Sequence, residues 1–447
     1  MKKMVLMLIL IILYPVASFG TTYYVSKSGN NTNPGTPSQP WATIQKAAST
    51  MVAGDTVYVR AGTYYEQVTL ANSGTSSAKI TYAAYPGETP IIDGTGVTPF
   101  DWNWGGLFYI GNKSHIVVNG LTIQNAFVSS GSPGVAGILM ENSGDNTITN
   151  CVIYNTRSSG IGVWNSTNSS NAKTYITYNN ISQAVNGGIE ECISIGSSSY
   201  VDVSYNAVHG GVNLPDGGEG IDVKEASSYV DIHHNTVYDL PGDVAIYVDA
   251  YSSTLSNVNV YSNSVYDVGY GIGIACEQGG TANNISIYNN VVRTSSTKGI
   301  ELTAYGNPTY NMVKIYNNTV AYNGQGINID TTAITGVEVY NNISASNTSY
   351  QMQAASSTNV TTSYNLWYGA QGTYKGTNYL TINPGFVSAT DLHLQSISPA
   401  IDVGTKGPDT DKDGVARPQG SGYDMGAYEY VLDDGPPKAP TGLKFMN

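Results

Sequence analysis

Short alternations of apolar and polar residues recur along the middle of the chain, at intervals of 24 to 29 residues. One motif places an asparagine just before an apolar pair or triplet, as in YNAV at 205–208 and YNNVV at 288–292. A second motif, in the same phase, places a glycine before an alternating segment, as in GIDVK at 220–224 and GIGIA at 271–275. A period of two is typical of β-strands with one buried face, so each repeat predicts two or three short strands.

A repeat of this length cannot enclose a core by itself, so successive repeats must stack and pair their strands in parallel. The handedness rule for parallel crossovers then predicts an all-β, right-handed parallel β-helix. An antiparallel sandwich would need hairpin turns at short intervals and would not explain asparagines in phase. The asparagines predicted to form an internal ladder are Asn180, Asn206, Asn235, Asn263, Asn290, Asn318 and Asn342.

The two ends of the chain depart from the repeat. Lys2 and Lys3 precede an apolar run, which predicts a secretory signal peptide over residues 1–20. Residues 21–430 are predicted to form the β-helix with its caps, because an open solenoid end would expose core and strand edges. Helical apolar spacing at 41–51 predicts an N-terminal capping helix, and residues 398–430, out of repeat register, predict an irregular C-terminal cap. Residues 431–447 are rich in proline and predict a tail.

Strand alternation also predicts which side chains point outward beside Lys224. Aligning the glycine–isoleucine steps gives two outward columns, with neighbours about 4.8 Å apart. The first column contains Ser194, Asp222, Tyr247, Gly273, Glu301 and Asn328, and the second contains Gly196, Lys224, Asp249, Ala275, Thr303 and Asp330. Glu219 and Asp243 fall just before their strands, and Glu277 falls just after its strand. Charged residues are only 11% of the chain, so this cluster predicts a functional site. The alternative is a surface ion pair between Lys224 and Asp249.

Composition narrows the possible partners. The net charge of −13 argues against nucleic acid, which requires a basic face. After the signal peptide, no stretch is apolar enough to span a membrane, so we predict a secreted, extracellular or periplasmic protein, acting as a monomer. Three widely separated cysteines, Cys151, Cys192 and Cys276, are expected to be buried thiols.

Two segments resemble known exported β-helix enzymes. Residues 23–68 resemble the start of many β-helix polysaccharide lyases. The segment IDVKEASSYVDIHHNTV at 221–237 resembles the strand of family-six alginate and chondroitin lyases that carries the catalytic lysine, and Lys224 falls on that lysine. An arginine of that family is replaced here by Asp249. Family-nine pectate lyases hold calcium with aspartates that precede successive strands, and Glu219 and Asp243 are similarly placed.

Three functions follow from these residues. The first is a polysaccharide lyase that cleaves a uronic-acid polymer of the alginate or pectate type by β-elimination. Calcium would be its cofactor, because carboxylate oxygens suit calcium and the ion would offset the acidic surface. The predicted residues are Lys224, Tyr247, His233 and Asp249 for catalysis, Asp222, Glu277 and Glu301 for the substrate, and Glu219, Asp222 and Asp243 for calcium. The second function is a glycoside hydrolase that uses two carboxylates of the same face. The third is a noncatalytic glycan-binding β-helix.

The segment DTDKDG at 409–414 matches the first half of a calcium-binding loop. Gly420 occupies the position where such a loop has its acidic twelfth residue. A polar capping loop is therefore the alternative interpretation.

Overall fold

The computed structural model describes residues 20–97, 105–127, 135–187, 190–211, 217–306, 308–355, 358–372 and 374–431. Within these ranges the chain forms short parallel strands that stack turn upon turn, together with one α-helix, α1 (Ile44–Thr50). The predicted signal peptide and tail lie outside the described residues, apart from Gly20 and Val431. The parallel β-helix predicted from the repeats is confirmed.

The first sheet contains one strand from each turn. Its thirteen described strands are β1 (Thr22–Val25), β2 (Thr56–Val59), β5 (Ile80–Ala84), β8 (Ile116–Asn119), β11 (Thr147–Thr149), β14 (Thr174–Thr177), β17 (Ser199–Ser204), β20 (Ser228–His233), β22 (Thr254–Tyr261), β24 (Thr281–Tyr288), β27 (Thr309–Tyr316), β30 (Ile334–Tyr340) and β33 (Val360–Ser363). The first strand already begins at Thr22, so the stack extends well before the middle of the chain, where the repeat is visible in the sequence.

The second sheet consists of two rows, joined because β21 (Thr236–Asp249) and β23 (Ser264–Ala275) each contribute to both. The row called here the site row contains β4 (Val68–Thr69), β7 (Gly105–Gly111), β10 (Val135–Glu141), β13 (Ile161–Trp164), β16 (Ile193–Gly196), β19 (Ile221–Lys224), β26 (Lys298–Leu302), β29 (Gln325–Ile329) and β32 (Met352–Ala354). The other row contains β3 (Gly62–Tyr64), β6 (Pro90–Asp93), β9 (Thr122–Ala126), β12 (Val152–Thr156), β15 (Asn180–Ser182), β18 (Ala207–His209), β25 (Val291–Arg293), β28 (Thr319–Ala321), β31 (Ile343–Ala345) and β34 (Leu366–Tyr368).

An asparagine ladder ties the turns together inside the solenoid. The Oδ1 atom of Asn263 accepts hydrogen bonds from the backbone N–H and the Nδ2 of Asn235, at 2.9 and 3.0 Å. The same Asn235 Nδ2 also donates to the backbone oxygen of Val203, at 2.8 Å. The members of this ladder are Asn179, Asn206, Asn235, Asn263, Asn290, Asn318, Asn342 and Asn365. Each buried amide therefore satisfies backbone groups of the neighbouring turns.

One member of the predicted ladder is wrong by one residue. Asn179, which is buried, occupies the ladder position, whereas Asn180 is exposed at the start of β15. In this turn the left-handed residue before the ladder is Tyr178, whereas in the turn of YNNVV it is Asn289. The sequence YNN is therefore shifted by one position relative to the ladder between these two turns: the ladder residue is its first asparagine in one turn and its second in the other.

The three cysteines are buried, unpaired thiols, as predicted. Helix α1 lies within the segment predicted as helical, and the side chain of Thr43 caps its first turn by accepting from Lys46 N at 3.1 Å. Ile44, Ala47 and Ala48 are buried in the main core. The helix lies between β1 and β2 along the chain and contributes apolar side chains to the main core.

The segment after β34 has little regular structure and folds back along the side of the solenoid. The Nδ2 atoms of three left-handed asparagines on successive turns hold its backbone: Asn289 donates to Thr410 O at 2.8 Å, Asn317 to Asp424 O at 3.2 Å and Asn341 to Thr405 O at 2.6 Å. The segment therefore covers the lateral surface of several turns in addition to following the last one.

The loop at 409–414 satisfies its own carboxylates with protein donors. Asp411 Oδ1 accepts from the backbone N–H groups of Asp413 and Val415, and Asp411 Oδ2 accepts from that of Glu429. Asp413 accepts from His393 at 2.9 Å. These bonds favour the interpretation as a polar loop.

Replacing Asn263 with leucine should lower the free energy of unfolding by about 1–3 kcal/mol for each backbone group left unpaired. Chemical denaturation monitored by circular dichroism would measure the change. The matched control is Asn180→Leu, at the exposed neighbouring position, which should cost less than about 1 kcal/mol. Equal stability of the Asn263 variant and the wild-type protein would contradict the ladder.

Candidate active site

The site row brings the predicted columns together in register. Asp222 pairs with Ser194 on the preceding turn and with Tyr247 on the following turn. Lys224 pairs with Gly196 and Asp249 in the same way. The outward columns predicted from the sequence are therefore confirmed around Lys224. Several of these outward polar residues are nevertheless buried, including Asp222 and Asp249, which are 3% and 5% exposed.

Lys224 is held by two carboxylates of the turn that precedes its strand. Its Nζ lies 2.7 Å from Glu191 Oε1 and 3.0 Å from Glu190 Oε2, while Asp222 Oδ2 is 4.0 Å away. The alternative interpretation, an ion pair between Lys224 and Asp249, is wrong. Asp249 Oδ1 instead accepts from the backbone N–H groups of Tyr251 and Glu277, at 2.8 and 3.2 Å, so its carboxylate is directed to the loop after its own strand.

Acidic residues occupy the entry to three consecutive strands of the site row. The N–H of Cys192 donates to the carbonyl of Glu219, and the N–H of Gly220 donates to the carbonyl of Val244. These bonds place Glu191 and Glu219 side by side on neighbouring turns, and Asp243 lies on the turn after that of Glu219. Glu219, Asp222 and Asp243 each have a buried carboxylate oxygen without a hydrogen-bond partner, namely Oε2, Oδ1 and Oδ2. Such orphaned acceptors are uncommon in folded proteins and require an explanation.

Burial raises the pKa values of these three carboxyl groups, and neighbouring carboxylates raise those of Glu219 and Asp222 further. Burial raises the pKa of Glu219 to about 8, and the carboxylates of Glu191 and Asp243 add to the effect. Burial likewise raises the pKa of Asp243 to about 6 and that of Asp249 to about 6. The pKa of Asp222 lies well above its usual range for the same reason, with Glu191 as the main charged neighbour.

The same carboxylates act in the opposite direction on the lysine. Burial by itself lowers the pKa of Lys224, but the charges of Glu191, Asp222 and Glu190 outweigh it and hold the pKa above its ordinary range. Without another cation, Lys224 is therefore an ammonium group. An amine in this state can form ion pairs but cannot accept a proton.

Tyr247 and Glu277 form a second pair on the same face. Tyr247 OH donates to Glu277 Oε1 at 2.7 Å. Burial and the nearby Glu277 carboxylate raise the pKa of Tyr247, so its hydroxyl keeps its proton. A half-buried phenol next to Asp222 and Asp249 can donate a hydrogen bond or a proton to a bound molecule.

Two of the predicted site residues have their contacts elsewhere. His233 lies on β20 in the first sheet, where it contacts Asp202 at 3.2 Å and His234 at 2.8 Å. Glu301 stands in the same column as Asp222 but three strands away, roughly 14 Å at the usual spacing. It is bound by Lys298 at 2.6 Å. His233 and Glu301 therefore belong to separate clusters.

Sequence reasoning missed the two principal partners of Lys224 and an aromatic neighbour. Glu190 and Glu191 stand in the segment IEECISIG, where a double acidic residue precedes a strand of the repeat, and this signal could have identified them. Trp164 lies two turns before Lys224 in the same column, and Lys224 Nζ is 5.2 Å from the centre of its ring. A column position occupied by tryptophan is a similar signal.

The donor chemistry of the orphaned oxygens of Glu219, Asp222 and Asp243 suits calcium, which prefers carboxylate ligands. Among the described residues, however, no three acidic, histidine or cysteine side chains are close enough together to hold a metal ion.

The described part of the chain also contains no helix that is long and apolar enough to cross a membrane.

Comparison with known proteins matches this fold to right-handed parallel β-helices. The family model described as "Pel9A-like, right handed beta helix region" matches residues 23–195. The chain is a right-handed parallel β-helix. It is 40% identical over 84 residues to pectate lyase PEL9 of Emericella nidulans, which is 18% of this chain and 20% of that protein. The curated relatives that the chain matches are covered over 26% and 20% of their length.

Two solved structures resemble this β-helix over almost its whole length. The structure of XylC in complex with xylose gives a TM-score of 0.62 at 14% identity, covering 92% of this chain and 99% of that chain. Pectate lyase Pel9A gives a TM-score of 0.58 at 17% identity, covering 92% and 97%. At such low identity the likeness concerns the fold, so the chemistry of the site must be argued from its own residues.

The raised pKa of Glu219 makes the stability of the protein depend on pH. A carboxyl group whose pKa is about 8 in the folded protein and near 4.5 when unfolded contributes stability below pH 4.5, and this contribution is lost as the pH rises to 8. Relative to the wild type, Glu219→Gln should therefore raise the free energy of unfolding more at pH 8.5 than at pH 5. The gain is on the order of 1.4 kcal/mol per unit of pKa shift removed. Urea denaturation at the two pH values, without divalent cations, would measure it.

The matched control for this experiment is Glu338→Gln, which removes an exposed carboxylate 3.6 Å from Lys314. That variant should change stability by less than about 1 kcal/mol at either pH. If Glu219→Gln has the same small effect, the carboxylate of Glu219 is not buried against its acidic neighbours.

Proposed function

We propose that this protein is a polysaccharide lyase that cleaves a uronic-acid-containing polysaccharide by β-elimination, assisted by calcium, at the site around Lys224. The observation that carries the proposal is a partly buried lysine amine, bound by Glu190 and Glu191, beside three carboxylates that each have one oxygen without a hydrogen-bond partner. The local identity to a pectate lyase and the β-helix fold shared with another support it.

β-Elimination requires a base at C5 of the uronate, a positive charge at its carboxylate and a proton for the departing oxygen. In this proposal Lys224 is the base, and its amine must first lose the proton that the surrounding carboxylates stabilise. Bound calcium would supply positive charge to the uronate carboxylate and to the acidic side chains, which makes neutral Lys224 more accessible. Glu219, Asp222 and Asp243 would hold it together with the uronate carboxylate, because these three side chains alone do not lie close enough together to form a metal site.

The remaining residues have roles that follow from their contacts. Tyr247 keeps its hydroxyl proton and lies next to Asp222 and Asp249, so it would donate a proton to the departing oxygen. Glu277 orients the hydroxyl through the 2.7 Å hydrogen bond. Asp249, fixed by two backbone N–H groups, would position the substrate by accepting hydrogen bonds from its hydroxyl groups.

One observation favours a second function, a glycoside hydrolase. Asp222 has a raised pKa and an unpartnered oxygen, as a general acid requires, and Asp249 lies on the next turn one column away. Two carboxyl groups that flank a glycosidic bond are sufficient for hydrolysis. In that case Lys224 would only neutralise and orient its acidic neighbours.

Lys224→Arg separates the two functions. Arginine can keep the ion pairs with Glu190 and Glu191 but stays protonated, so a lyase should lose activity by roughly 10²–10⁴-fold, whereas a hydrolase should retain most of it. The assay follows the absorbance of unsaturated uronate products and, in parallel, new reducing ends on alginate, pectate and neutral glycans. Reducing ends without absorbance would overturn the lyase proposal.

Arginine is preferred to alanine because removing the amine would leave two buried carboxylates unpaired, at a cost of about 3–5 kcal/mol in stability. The matched control is Lys298→Arg, where a lysine of the same row is bound by Glu301 and Asp330 at 2.6 and 2.7 Å. That variant should keep wild-type activity, and its melting temperature shows whether such a change is tolerated by the fold.

Calcium dependence tests the proposed role of the acidic residues. A chelator should abolish lyase activity and added calcium should restore it, while Glu219→Gln should stay inactive in both conditions. Calcium should also raise the melting temperature, and more at pH 8 than at pH 5, because binding requires ionised carboxylates. Full activity of the chelated enzyme would remove calcium from the proposal.

A further inference from the structure

The glycine at position 196 allows an aromatic ring to lie flat on the site row beside Lys224. Trp164, Gly196 and Lys224 stand on three successive turns in one column. A β-carbon at Gly196 would fall 2.2 Å from Cζ3 of the Trp164 ring, which is far too close. Only glycine leaves room for the indole to cross this turn and approach the Lys224 amine, 5.2 Å from its ring centre.

Beside this ring lies a cavity of about 270 Å³. Its lining residues are Leu139, Glu141, Trp164, Asn165 and Glu225. Glu225 directly follows Lys224 in the chain, and Leu139 is 3% exposed, so the cavity adjoins the candidate active site and has a buried apolar base. A sugar unit next to the one that reacts at Lys224 would therefore lie in this cavity.

Two more rings lie over glycines of the same row. A β-carbon at Gly111 would fall 2.3 Å from the hydroxyl of Tyr109, and one at Gly273 would fall 3.0 Å from the ring of Tyr247. Flat aromatic rings on an outward sheet surface offer an apolar face that can pack against the C–H face of a sugar ring. The row thus has an aromatic surface on both sides of Lys224.

The charges of the cavity restrict which sugar it can take. Glu141 Oε2 accepts from Tyr109 OH at 2.7 Å, and Glu225 Oε2 accepts from Ser197 Oγ at 2.5 Å. Both carboxylates are thus held in place at the cavity lining, which includes no lysine or arginine among the described residues. A sugar carboxylate there would meet two like charges at close range. Sugar hydroxyl groups, in contrast, could donate hydrogen bonds to these acceptors.

We propose that the Trp164 cavity is a subsite for an uncharged sugar, adjacent to the uronate that is cleaved at Lys224. The substrate is then a heteropolysaccharide in which a uronate is joined to a neutral sugar, and not a homopolymer of uronic acid. The inference rests on the proposed function, since it places the uronate at Lys224. Trp164 is a specificity-determining residue in this arrangement.

Binding of substrate fragments tests the subsite independently of turnover. Calorimetry would compare oligogalacturonates with oligosaccharides that alternate galacturonate and rhamnose, with calcium present. Wild-type protein should bind the mixed oligosaccharides at least tenfold more tightly, and Trp164→Ala should lose this preference while Trp164→Phe keeps most of it. Tyr229→Ala, which removes an exposed aromatic ring of the first sheet, should change neither affinity. Equal affinity of wild-type protein for both oligosaccharides, or equal losses in Trp164→Ala, would overturn the subsite.

A double variant makes the charge argument separately testable. Glu141→Gln with Glu225→Gln should improve binding of oligogalacturonates about tenfold, because the repulsion is removed while the amide oxygens can still accept hydrogen bonds. No gain would contradict exclusion of the uronate by charge. Failure of the lyase proposal has a different signature, since it would show as absent unsaturated products with the binding preference unchanged.

Discussion

Parallel stacking of the turns is the constraint on which the rest of this molecule depends. Because the backbone hydrogen bonds hold equivalent residues about 4.8 Å apart, every outward side chain meets its counterparts on the turns before and after it. The asparagine ladder keeps this register inside the solenoid, because each amide bonds the backbone of the preceding turn and the asparagine side chain of the next turn. A shift of one residue in a single turn would turn Lys224 from the surface into the core.

The stack creates the electrostatic conflict that characterises the candidate active site. Three acidic residues at successive strand entries cannot separate. Burial raises the pKa values of Glu219 and Asp243, and repulsion by Glu191 and Asp243 raises that of Glu219 further. One ammonium group, Lys224, partly offsets them through its ion pairs with Glu190 and Glu191. In this arrangement the acidic groups outnumber the ammonium group. The carboxylate oxygens without hydrogen-bond partners are the physical argument for a bound cation.

The fold and the columns could be predicted because both follow from short-range rules. Alternation with a period of two determined which of Asp222, Val223 and Lys224 point outward, and the repeat determined their neighbours. The ion pairs could not be predicted in the same way. Glu190 and Glu191 lie in the turn before a strand, where side-chain direction depends on loop conformation, and they reach Lys224 across a turn. His233 was misplaced because the repeat does not say which sheet a strand joins, and Asn180 because two adjacent asparagines look alike.

Glycines on the site row show how a regular solenoid can acquire a specific surface. In a column of large side chains, each residue would stand upright between its neighbours, and the sheet would present side-chain ends. A glycine in the column opens a gap, and the neighbouring ring falls across it, as Trp164 does over Gly196 and Tyr247 over Gly273. The position of the gap relative to Lys224 then decides which part of a bound chain meets an aromatic face. In the proposed subsite, recognition of a sugar would therefore depend on the spacing of small residues as much as on the polar groups around Lys224.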